Sequence, residues 1–374
     1  MRVFALVCLA SIMIPTSAFA QRQRIVPAEW RVEQGWRTDF TNYTLHPDSL
    51  TITSGRDNKP ALDYPKFESI ESASDWLDDR EPVTVVSING DVRAYPIQIL
   101  YHHDVANDLV GGEPIVVTFC PLCGSALAFD RRIDGRTLEF GYVGALHNSN
   151  LLMYDRETET FWAQAIGEGL VGEFAGTSLK FVSAPVMSYG DFKENEPGGR
   201  VLSLDTGYDL PYGRNRMSDY DTSGPIGRIF RWDVDQRLPA KERVMVIEHA
   251  DDMVAVPYTA LSEQKVITTD VGGQETVILW GPGTASVYSE RMADGVDVGA
   301  AVAYSPNVDG RRLRFRPTDV DGRFEDRETR SIWTLAGKAI EGPLAGHTLQ
   351  GAEHGVHFWF VWAAYRPETR VVRR

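Results

Sequence analysis

The segment PVTVVSINGDVRAYPIQIL, residues 82–100, decides the fold class of this 374-residue chain. VTVVSI and VRAYPI are rich in β-branched and apolar residues, and Asn89-Gly90 lies between them. A two-residue Asn-Gly connection favours a type I′ turn, because both central residues need positive φ. The segment therefore predicts a β-hairpin. A short helix is predicted from Pro96 to about Asp108, since proline suits a first helical turn.

The same pattern returns later in the chain. RVMVIEHADDMVAVPYTAL at 243–261 aligns with the hairpin segment, and GRFEDRETRSIWTL at 322–335 aligns with LLMYDRETETFWAQ at 151–164. Between these blocks, VVTFCPLCGSALAFDR aligns with VILWGPGTASVYSER when both are read back from Arg131 and Arg291. The blocks keep one order in both halves, as in an internal repeat. We therefore predict two related β-rich modules that arose by duplication.

The repeat divides the chain into five predicted parts. They are a signal peptide (1–20), an N-terminal lead-in (21–79), a first β-rich module (80–185), a Gly/Pro/Tyr-rich connection (186–239) and a second, degenerate β-rich module (240–374). The composition of the connection predicts little regular structure. HFWFVWAAY at 357–365 is a continuous apolar run, which is typical of a strand covered on both faces. The predicted fold class is mainly β, α+β at most, with a few short helices.

The first twenty residues have the layout of a secretory signal. Arg2 precedes an apolar stretch at 3–14, and Ala18-Phe19-Ala20 forms a small-x-small cleavage site. The apolar stretch is shorter than the about 20 residues that span a bilayer, and no later stretch is long enough. We therefore expect a periplasmic or secreted protein that loses Cys8 with its signal and has no membrane span afterwards.

The charge and composition exclude one class of partner. The chain has a formal net charge of −14, and phosphate binding needs clusters of Lys and Arg. We therefore expect no nucleic acid partner, and an unknown small molecule or protein instead. With 43% hydrophobic residues the chain can bury a large core without a disulfide scaffold.

The repeat separates scaffold from candidate function. The DRET turn and the Trp seven residues after its Asp occur in both modules, so we assign them to the scaffold. In the alignment Cys120 meets Trp280, Cys123 meets Gly283, and His102-His103 meets Ser262-Glu263. His147 falls opposite Thr318. The thiols and nearby imidazoles therefore belong to the first module alone, which makes them candidates for a functional site.

These segments resemble a known family. AYPIQILYHHDVANDLVGGEPIVVTFCPLCGSALAFDR followed by NSNLLMYDRETETFWAQ looks like the bacterial and archaeal family catalogued as domain of unknown function 3179. The resemblance covers most of the chain from about residue 80 and brings no assigned reaction. The family's motif residues fall on His103, Asp104, Asn107, Asp108, Cys120, Cys123, Gly124, Asp155, Trp162 and Gln164. Asp104 replaces a Glu of the family pattern, Phe119 replaces a Tyr, and His147 has no fixed family position.

A metal site is the first of three interpretations of the cysteine pair. Cys-Pro-x-Cys-Gly is the turn of zinc-ribbon knuckles, in which two intervening residues let both sulfurs face one ion. His103 precedes Cys120 on the predicted helix, and a Cys₂His set suits zinc or copper. A fourth position would go to His147, a carboxylate or solvent. Asp104 and Asp108 could orient an imidazole or act as a general base.

Two other interpretations stay open at this point. The pair could perform thiol–disulfide chemistry, although the strand-like SALAFDR that follows Cys123 is unlike the helix after a thioredoxin motif. The cysteines could also be structural. The chain would then be a secreted ligand-binding module with an aromatic pocket drawn from Tyr208, Tyr212, Tyr220 and the C-terminal aromatic run. No other catalytic motif is present, so the sequence does not decide whether the chain is an enzyme.

Overall fold

A computed structural model describes residues 28–222, 226 and 229–373 of the chain. The predicted signal peptide lies outside the described residues. The described part is mainly β, with short helices, which confirms the predicted fold class. The lead-in contains α1 (Ala28–Glu33), β1 (Thr51–Ile52), β2 (Leu62–Asp63), β3 (Phe67–Ser69) and α2 (Ile70–Ala73).

The first half of the fold continues from these elements. It contains β4 (Pro82–Ile88), β5 (Asp91–Pro96), α3 (Ile97–His103), β6 (Val105–Val110), β7 (Glu113–Cys120), β8 (Ser125–Asp130), β9 (Arg132–Ile133), β10 (Arg136–Thr137), β11 (Phe140–His147), β12 (Asn150–Asp155), β13 (Phe161–Ala163), β14 (Glu168–Val171), β15 (Phe181–Val182), β16 (Val186–Ser188), α4 (Tyr189–Asn195) and β17 (Arg200–Leu202).

The second half uses a similar series. It contains β18 (Arg243–His249), β19 (Asp252–Pro257), α5 (Tyr258–Gln264), β20 (Val266–Val271), β21 (Gln274–Gly281), β22 (Ala300–Tyr304), β23 (Asn307–Val308), β24 (Arg311–Arg312), β25 (Phe315–Pro317), β26 (Arg323–Asp326), β27 (Ile332–Thr334), β28 (Ala339–Glu341), β29 (His354–Phe358), α6 (Trp359–Tyr365) and β30 (Arg370–Val371). Short 3-10 helices occur at Pro47–Ser49 and Met292–Asp294.

The predicted hairpin is present at β4–β5. The strands pair antiparallel with Ile88 opposite Asp91, and Asn89 and Gly90 have φ of 50° and 81°. These positive φ values are those of the type I′ turn that Asn-Gly favours. The first five residues of β4 are buried, and β4 is an inner strand between β16 and β5, while the turn at Asn89-Gly90 is exposed.

The two halves build their first sheets in the same way. One sheet has the order β16-β4-β5-β17-β3, and the other has the order β29-β18-β19-β30. In both, the hairpin gains an antiparallel strand on one side and a parallel strand on the other. This common order agrees with the repeat seen in the sequence, while duplication itself stays an inference from the sequence.

Three predicted elements differ in the structure. Helix α3 ends at His103 and not near Asp108, because Asp104 takes φ of 60° and donates its N–H to Leu100 O, which closes the helix. The β-branched residue Val105 then begins strand β6. The run at 357–365 is mostly the helix α6, and an apolar run without periodicity cannot distinguish the two. The predicted connection begins with β16, α4 and β17, while residues 203–242 contain no strand or helix where the structure describes them.

Strand register also corrects the sequence alignment. Cys120 pairs with Ser125, and Gly281 pairs with Ala300, so Cys120 corresponds to Gly281 rather than to Trp280. The strand β22 therefore takes the place of β8, and residues 282–299 form a long loop where the first half has only residues 121–124. The alignment failed here because it contained no gap between the cysteine turn and the next strand.

The two halves share their hydrophobic cores. One buried cluster joins Val86 and Tyr95 of the first half to Val244 and Trp359 of the second. Strand β8 contacts β29, and the corresponding strand β22 contacts β16. Each half thus contacts the other through matching elements, while one further buried cluster lies within each half. The other sheets have the orders β15-β8-β7-β6-β2, β20-β21-β22, β1-β11-β12-β13-β14 and β25-β26-β27-β28, with two-stranded pairs β9-β10 and β23-β24.

Candidate functional site

Cys120 and Cys123 are joined by a disulfide bond in the turn between β7 and β8. Both cysteines are buried, and their Cα atoms are 5.2 Å apart. Gly124 ends the turn with φ of 62°, and a Cβ at this position would lie 2.9 Å from the ring of Phe358. Glycine is therefore required both by the backbone conformation and by the close approach of that ring.

Hydrogen bonds fix the backbone of the turn. The Cys123 N–H donates to Cys120 O at 3.1 Å, and the Phe358 N–H donates to Cys123 O at 2.8 Å. Tyr288 Oη donates to Pro121 O at 2.5 Å, and Tyr220 Oη donates to Leu122 O at 3.2 Å. All four carbonyl groups from 120 to 123 thus have donors, three of which come from the connection and the second half.

A long hairpin brings a second structure to the disulfide. Its strands β11 and β12 meet at His147 opposite Asn150, with Asn148 and Ser149 at the tip. Asn150 Nδ2 donates to Cys123 Sγ at 3.2 Å, and Ser149 O lies 3.8 and 3.6 Å from the sulfurs of Cys120 and Cys123. The corresponding hairpin β25–β26 is shorter, with paired residues only from 315 to 326. The halves therefore differ in length both at the connection after β7 and at this hairpin, and the two segments meet at the disulfide.

One cysteine of the disulfide belongs to the wall of a cavity. The cavity has a volume of about 470 Å³, and Cys120 lines it together with Pro121 and Leu122. Cys123 is fully buried beneath the turn and is not part of the lining. The remaining walls are contributed by the lead-in, by α3, by the long hairpin and by the connection: Thr53, Asn58, Lys59, Pro60, Tyr101, His102, Asp104, Tyr142, Leu146, Leu151, Leu210, Pro211, Arg216, Met217 and Ile229.

Charged and polar groups line the same cavity. Lys59 Nζ contacts Asp104 Oδ1 at 2.7 Å, and burial raises the pKa of Asp104 to about 6 although Lys59 opposes this shift. Burial, with the nearby Lys59 charge, also lowers the pKa of His102. His102 Nε2 is buried and has no hydrogen-bond partner in the part of the chain that the structure describes. The cavity wall therefore combines Cys120, the Lys59–Asp104 ion pair and a neutral imidazole.

The two histidines predicted as metal ligands have other partners. His103 Nδ1 donates to Pro60 O and Nε2 accepts from Tyr212 Oη, each at 2.7 Å. Burial lowers the pKa of His103 to about 4. His147 Nδ1 lies 2.6 Å from Tyr365 Oη, and burial lowers the pKa of His147 to about 4 as well. Both rings are therefore neutral and engaged in the protein interior.

The predicted metal set is not assembled in this state. The described residues contain no group of three or more His, Cys, Asp or Glu that could hold a metal ion. Since the sulfurs of Cys120 and Cys123 are bonded to each other, they offer no thiolate ligands. Zinc or copper binding by the reduced thiols stays a prediction, and it requires His103 to give up a present hydrogen bond.

The predicted carboxylates separate into two groups. Asp104 lines the cavity, whereas Asp108 lies on β6, where it accepts hydrogen bonds from Arg93 at 2.8 Å and Tyr95 Oη at 2.6 Å. Asn107, on the same strand, donates to Phe140 O at 2.8 Å. Asp108 and Asn107 therefore connect strands, and their place on a strand removes the helical geometry that the sequence suggested.

Sequence reasoning missed four contributors to the site. They are Lys59 on the cavity wall, the hairpin tip at Ser149 and Asn150, and Tyr288 above the turn. The polar triplet Asn148-Ser149-Asn150 between two apolar runs was a usable turn signal. Nothing local in the sequence marks Lys59 or Tyr288, because both reach the site through the tertiary fold.

Fold and site together define a mainly β protein in which a disulfide-closed CxxC turn lines a cavity. The chain belongs to the family described as protein of unknown function DUF3179, whose model matches residues 56–369. No curated protein and no solved structure matches the chain. Within the described residues, no helix is both long and apolar enough to cross a membrane.

Proposed function

We propose that this chain is an exported thiol–disulfide redox protein whose reactive pair is Cys120 and Cys123. The observation that carries the proposal is the asymmetry of the disulfide: Cys120 lines the cavity of about 470 Å³, and Cys123 does not. Exchange needs an incoming thiolate to reach one sulfur while the other leaves, and the place of Cys120 in the cavity wall makes it the cysteine that is attacked, although it is only 1% exposed in the oxidised protein. The predicted substrate is a small dithiol or an exposed dithiol segment of a protein.

The chemistry balances as a two-electron exchange. A thiolate of the substrate attacks Cys120 Sγ, the bond between the sulfurs breaks, and Cys123 leaves as a thiolate. The amide N–H of Asn150, 3.2 Å from Cys123 Sγ, stabilises that charge. The second thiolate of the dithiol then attacks the substrate sulfur that is bonded to Cys120. The substrate disulfide forms, and Cys120 leaves as a thiolate. The two protons of the substrate end on the two cysteines.

The cavity wall favours this reaction. Lys59 lines the cavity in an ion pair with Asp104, and its charge can lower the pKa of an incoming thiol when its ammonium turns from Asp104 to the sulfur. His102 presents a buried, unpartnered Nε2 that can accept the proton of the attacking thiol, since its lowered pKa keeps the ring neutral. The hydrogen bonds to all four carbonyl groups of the turn hold the backbone while the sulfurs change partners.

Location outside the cytoplasm belongs to the same proposal. Disulfides persist in oxidising compartments such as the periplasm, and the first twenty residues have the layout of a secretory signal. The turn is followed by strand β8 and not by a helix, so the proposed chemistry would use a scaffold unlike that of thioredoxin.

The test uses the full chain with Cys8→Ser, so that two cysteines remain. The protein is equilibrated in dithiothreitol buffers of graded potential, alkylated and weighed, with metal content measured in parallel. We expect no free thiols at the start and one reversible two-electron transition without loss of tertiary structure. Asn150→Ala should make the midpoint more negative, because the leaving thiolate loses its donor.

Two outcomes would overturn the proposal. If the pair stays oxidised until the protein unfolds, the disulfide is structural. If the isolated protein instead has two free thiols and one equivalent of zinc or copper, the metal hypothesis with Cys120, Cys123 and His103 replaces the redox proposal. In that case His103→Ala should lower the metal content.

A further inference from the structure

A second cavity lies between the two halves of the protein. It has a volume of about 280 Å³, and its wall shares no residue with that of the disulfide cavity. The connection between β14 and β15 forms one side, and β18, β29 and α6 form the other. Its apolar wall is made by Ile166, Leu179, Phe181, Val246 and Trp362. Most of the remaining wall is polar or charged, and a concave site that combines apolar walls with convergent polar groups is typical of small-molecule binding.

His357 is the most unusual residue of this cavity. It lines the wall, is 1% exposed, and neither ring nitrogen has a hydrogen-bond partner in the described part of the chain. Buried polar side chains nearly always have a partner, so an orphan of this kind needs an explanation. Burial lowers the pKa of His357 to about 3. At neutral pH the ring therefore holds one donor and one acceptor that no described group satisfies.

The first half shows what the scaffold alone requires at this position. His357 pairs with Val244 in β29–β18, and the corresponding pair in β16–β4 is Met187 with Val83. Met187 is buried and apolar. Since the same strand position is satisfied by a methionine in one half, packing does not explain the histidine in the other.

Arg366 supplies a charge at the same cavity. Its guanidinium forms ion pairs with Glu168 at 3.8 Å and with Glu248 at 4.0 Å, both longer than a hydrogen bond, so a ligand carboxylate would compete with these two residues. Where the structure describes its surroundings, the guanidinium donates one long hydrogen bond, to Tyr365 O at 3.4 Å. Its side chain is 23% exposed, whereas Lys180 and Glu353 lie on the exposed rim. Arg366 is thus the most sheltered charge of the wall, and its fork of donors fits a carboxylate.

We infer that this cavity binds a small organic carboxylate with an apolar or aromatic body. The carboxylate accepts hydrogen bonds from Arg366, the body packs against Phe181 and Trp362, and a hydroxyl or similar group bonds with His357. The corresponding position to Arg366 in the first half is Glu196, which ends its helix in the same way and pairs with Lys338 at 2.8 Å. The positive charge of Arg366 and the imidazole of His357 therefore have no counterpart at the matching positions of the first half.

The test is calorimetric titration of the full chain with 3- and 4-hydroxybenzoate, benzoate, and the matching hydroxybenzamides. We expect saturable binding of a hydroxybenzoate and at least about tenfold weaker binding of its uncharged amide, because the amide lacks the charge that Arg366 recognises. Arg366→Gln should weaken hydroxybenzoate binding by a similar factor. The matched variant His357→Met should abolish the preference for hydroxybenzoate over benzoate. Arg370→Gln, an exposed control, should change nothing.

Three results would overturn the inference. They are the absence of saturable binding at millimolar hydroxybenzoate, equal binding of acid and amide, and unchanged selectivity in His357→Met. The ¹H–¹⁵N imidazole signals of His357 provide an independent readout, since they should move on titration in wild type. Because the cysteines take no part, the result is independent of the redox proposal.

Discussion

The connection after β7 and the connection after β21 occupy matching places, and they differ in length and role. The first is the four-residue turn 121–124 that closes the disulfide, and the second is the loop 282–299. Tyr288 of the long loop donates to Pro121 O of the short turn. The second half therefore contributes to the surroundings of the cysteine turn in the first half.

The two halves agree where they build scaffold. Trp162 Nε1 donates to Asp155 Oδ2 at 2.9 Å, and Trp333 Nε1 donates to Asp326 Oδ2 at 2.9 Å. Both tryptophans are fully buried. The lesson is that repeated contacts stabilise the fold, whereas function is to be sought at the turn, the hairpin tip and the second cavity, where the halves differ.

The largest expected effect on stability comes from the two tryptophans that bond to the DRET turns. Trp162→Phe and Trp333→Phe should each lower the free energy of unfolding by about 2–4 kcal/mol, because a buried carboxyl loses its donor and a cavity forms. Denaturant titration of the two variants, side by side, provides the measurement. Both should still cycle between disulfide and dithiol. A loss of cycling in Trp162→Phe alone would mean that this turn is functional.

The disulfide should contribute less to stability than either tryptophan. Reduction of Cys120 and Cys123 should lower the free energy of unfolding by about 2 kcal/mol, because a loop of so few residues constrains the unfolded chain only slightly. Denaturant titration with and without dithiothreitol measures the difference. Unfolding on reduction alone would contradict a pair that cycles in the folded protein.

His357→Met should sharpen the comparison between the second cavity and its counterpart. The free energy of unfolding at pH 7 should rise by about 1–2 kcal/mol, because an unpartnered buried polar group becomes the apolar residue that the other half uses. A decrease at pH 7, measured by denaturant titration, would show that the imidazole has a partner.

The pH dependence of the same variant has a defined sign. The pKa of His357 in the folded protein, about 3, lies below its ordinary value of 6.5. The unfolded chain therefore takes up the proton first, and stability that is present above about pH 6.5 is lost as the pH falls toward 3. For each pH unit in this window, the free energy of unfolding of His357→Met should fall by up to about 1.4 kcal/mol less than that of wild type. Parallel curves for wild type and variant would contradict the assignment.

The smallest expected effect concerns the hairpin tip. Ser149 has φ of 69°, which is in the left-handed region that favours glycine. In the second half, the connection between β25 and β26 has Gly322 at the same φ of 69°. Ser149→Gly should raise the free energy of unfolding by about 0.5 kcal/mol, because relief of left-handed strain slightly exceeds the added freedom of the unfolded chain. Redox cycling should be unchanged, since the contact to sulfur is made by the backbone. A change in the midpoint potential would assign a role to the Ser149 hydroxyl.

Much of the fold could be predicted from local chemistry. Asn89-Gly90 specified its hairpin, and the DRET repeats located matching turns, because positive φ and turn hydrogen bonds depend on neighbouring residues. The helix α6 could not be distinguished from a strand, since a segment buried on all sides shows no periodicity.

The site could be predicted only in part. The cysteine turn was visible as a motif, but its partners come from distant segments: Asn150 from a hairpin tip, Tyr288 from a loop and Lys59 from the lead-in. His103 shows the opposite error. Its place before the cysteines suggested a ligand, yet both ring nitrogens are used by Pro60 and Tyr212.

The reactivity of the two single thiols tests the central claim most directly. In the Cys8→Ser background, Cys123→Ser leaves only Cys120, and Cys120→Ser leaves only Cys123. The rate of reaction of each folded protein with an aromatic disulfide reagent is followed by release of its coloured thiolate. Cys120 should react at least about tenfold faster, because it lines the cavity, as Lys59 does, and Cys123 does not. Equal rates, or a faster Cys123, would contradict the account.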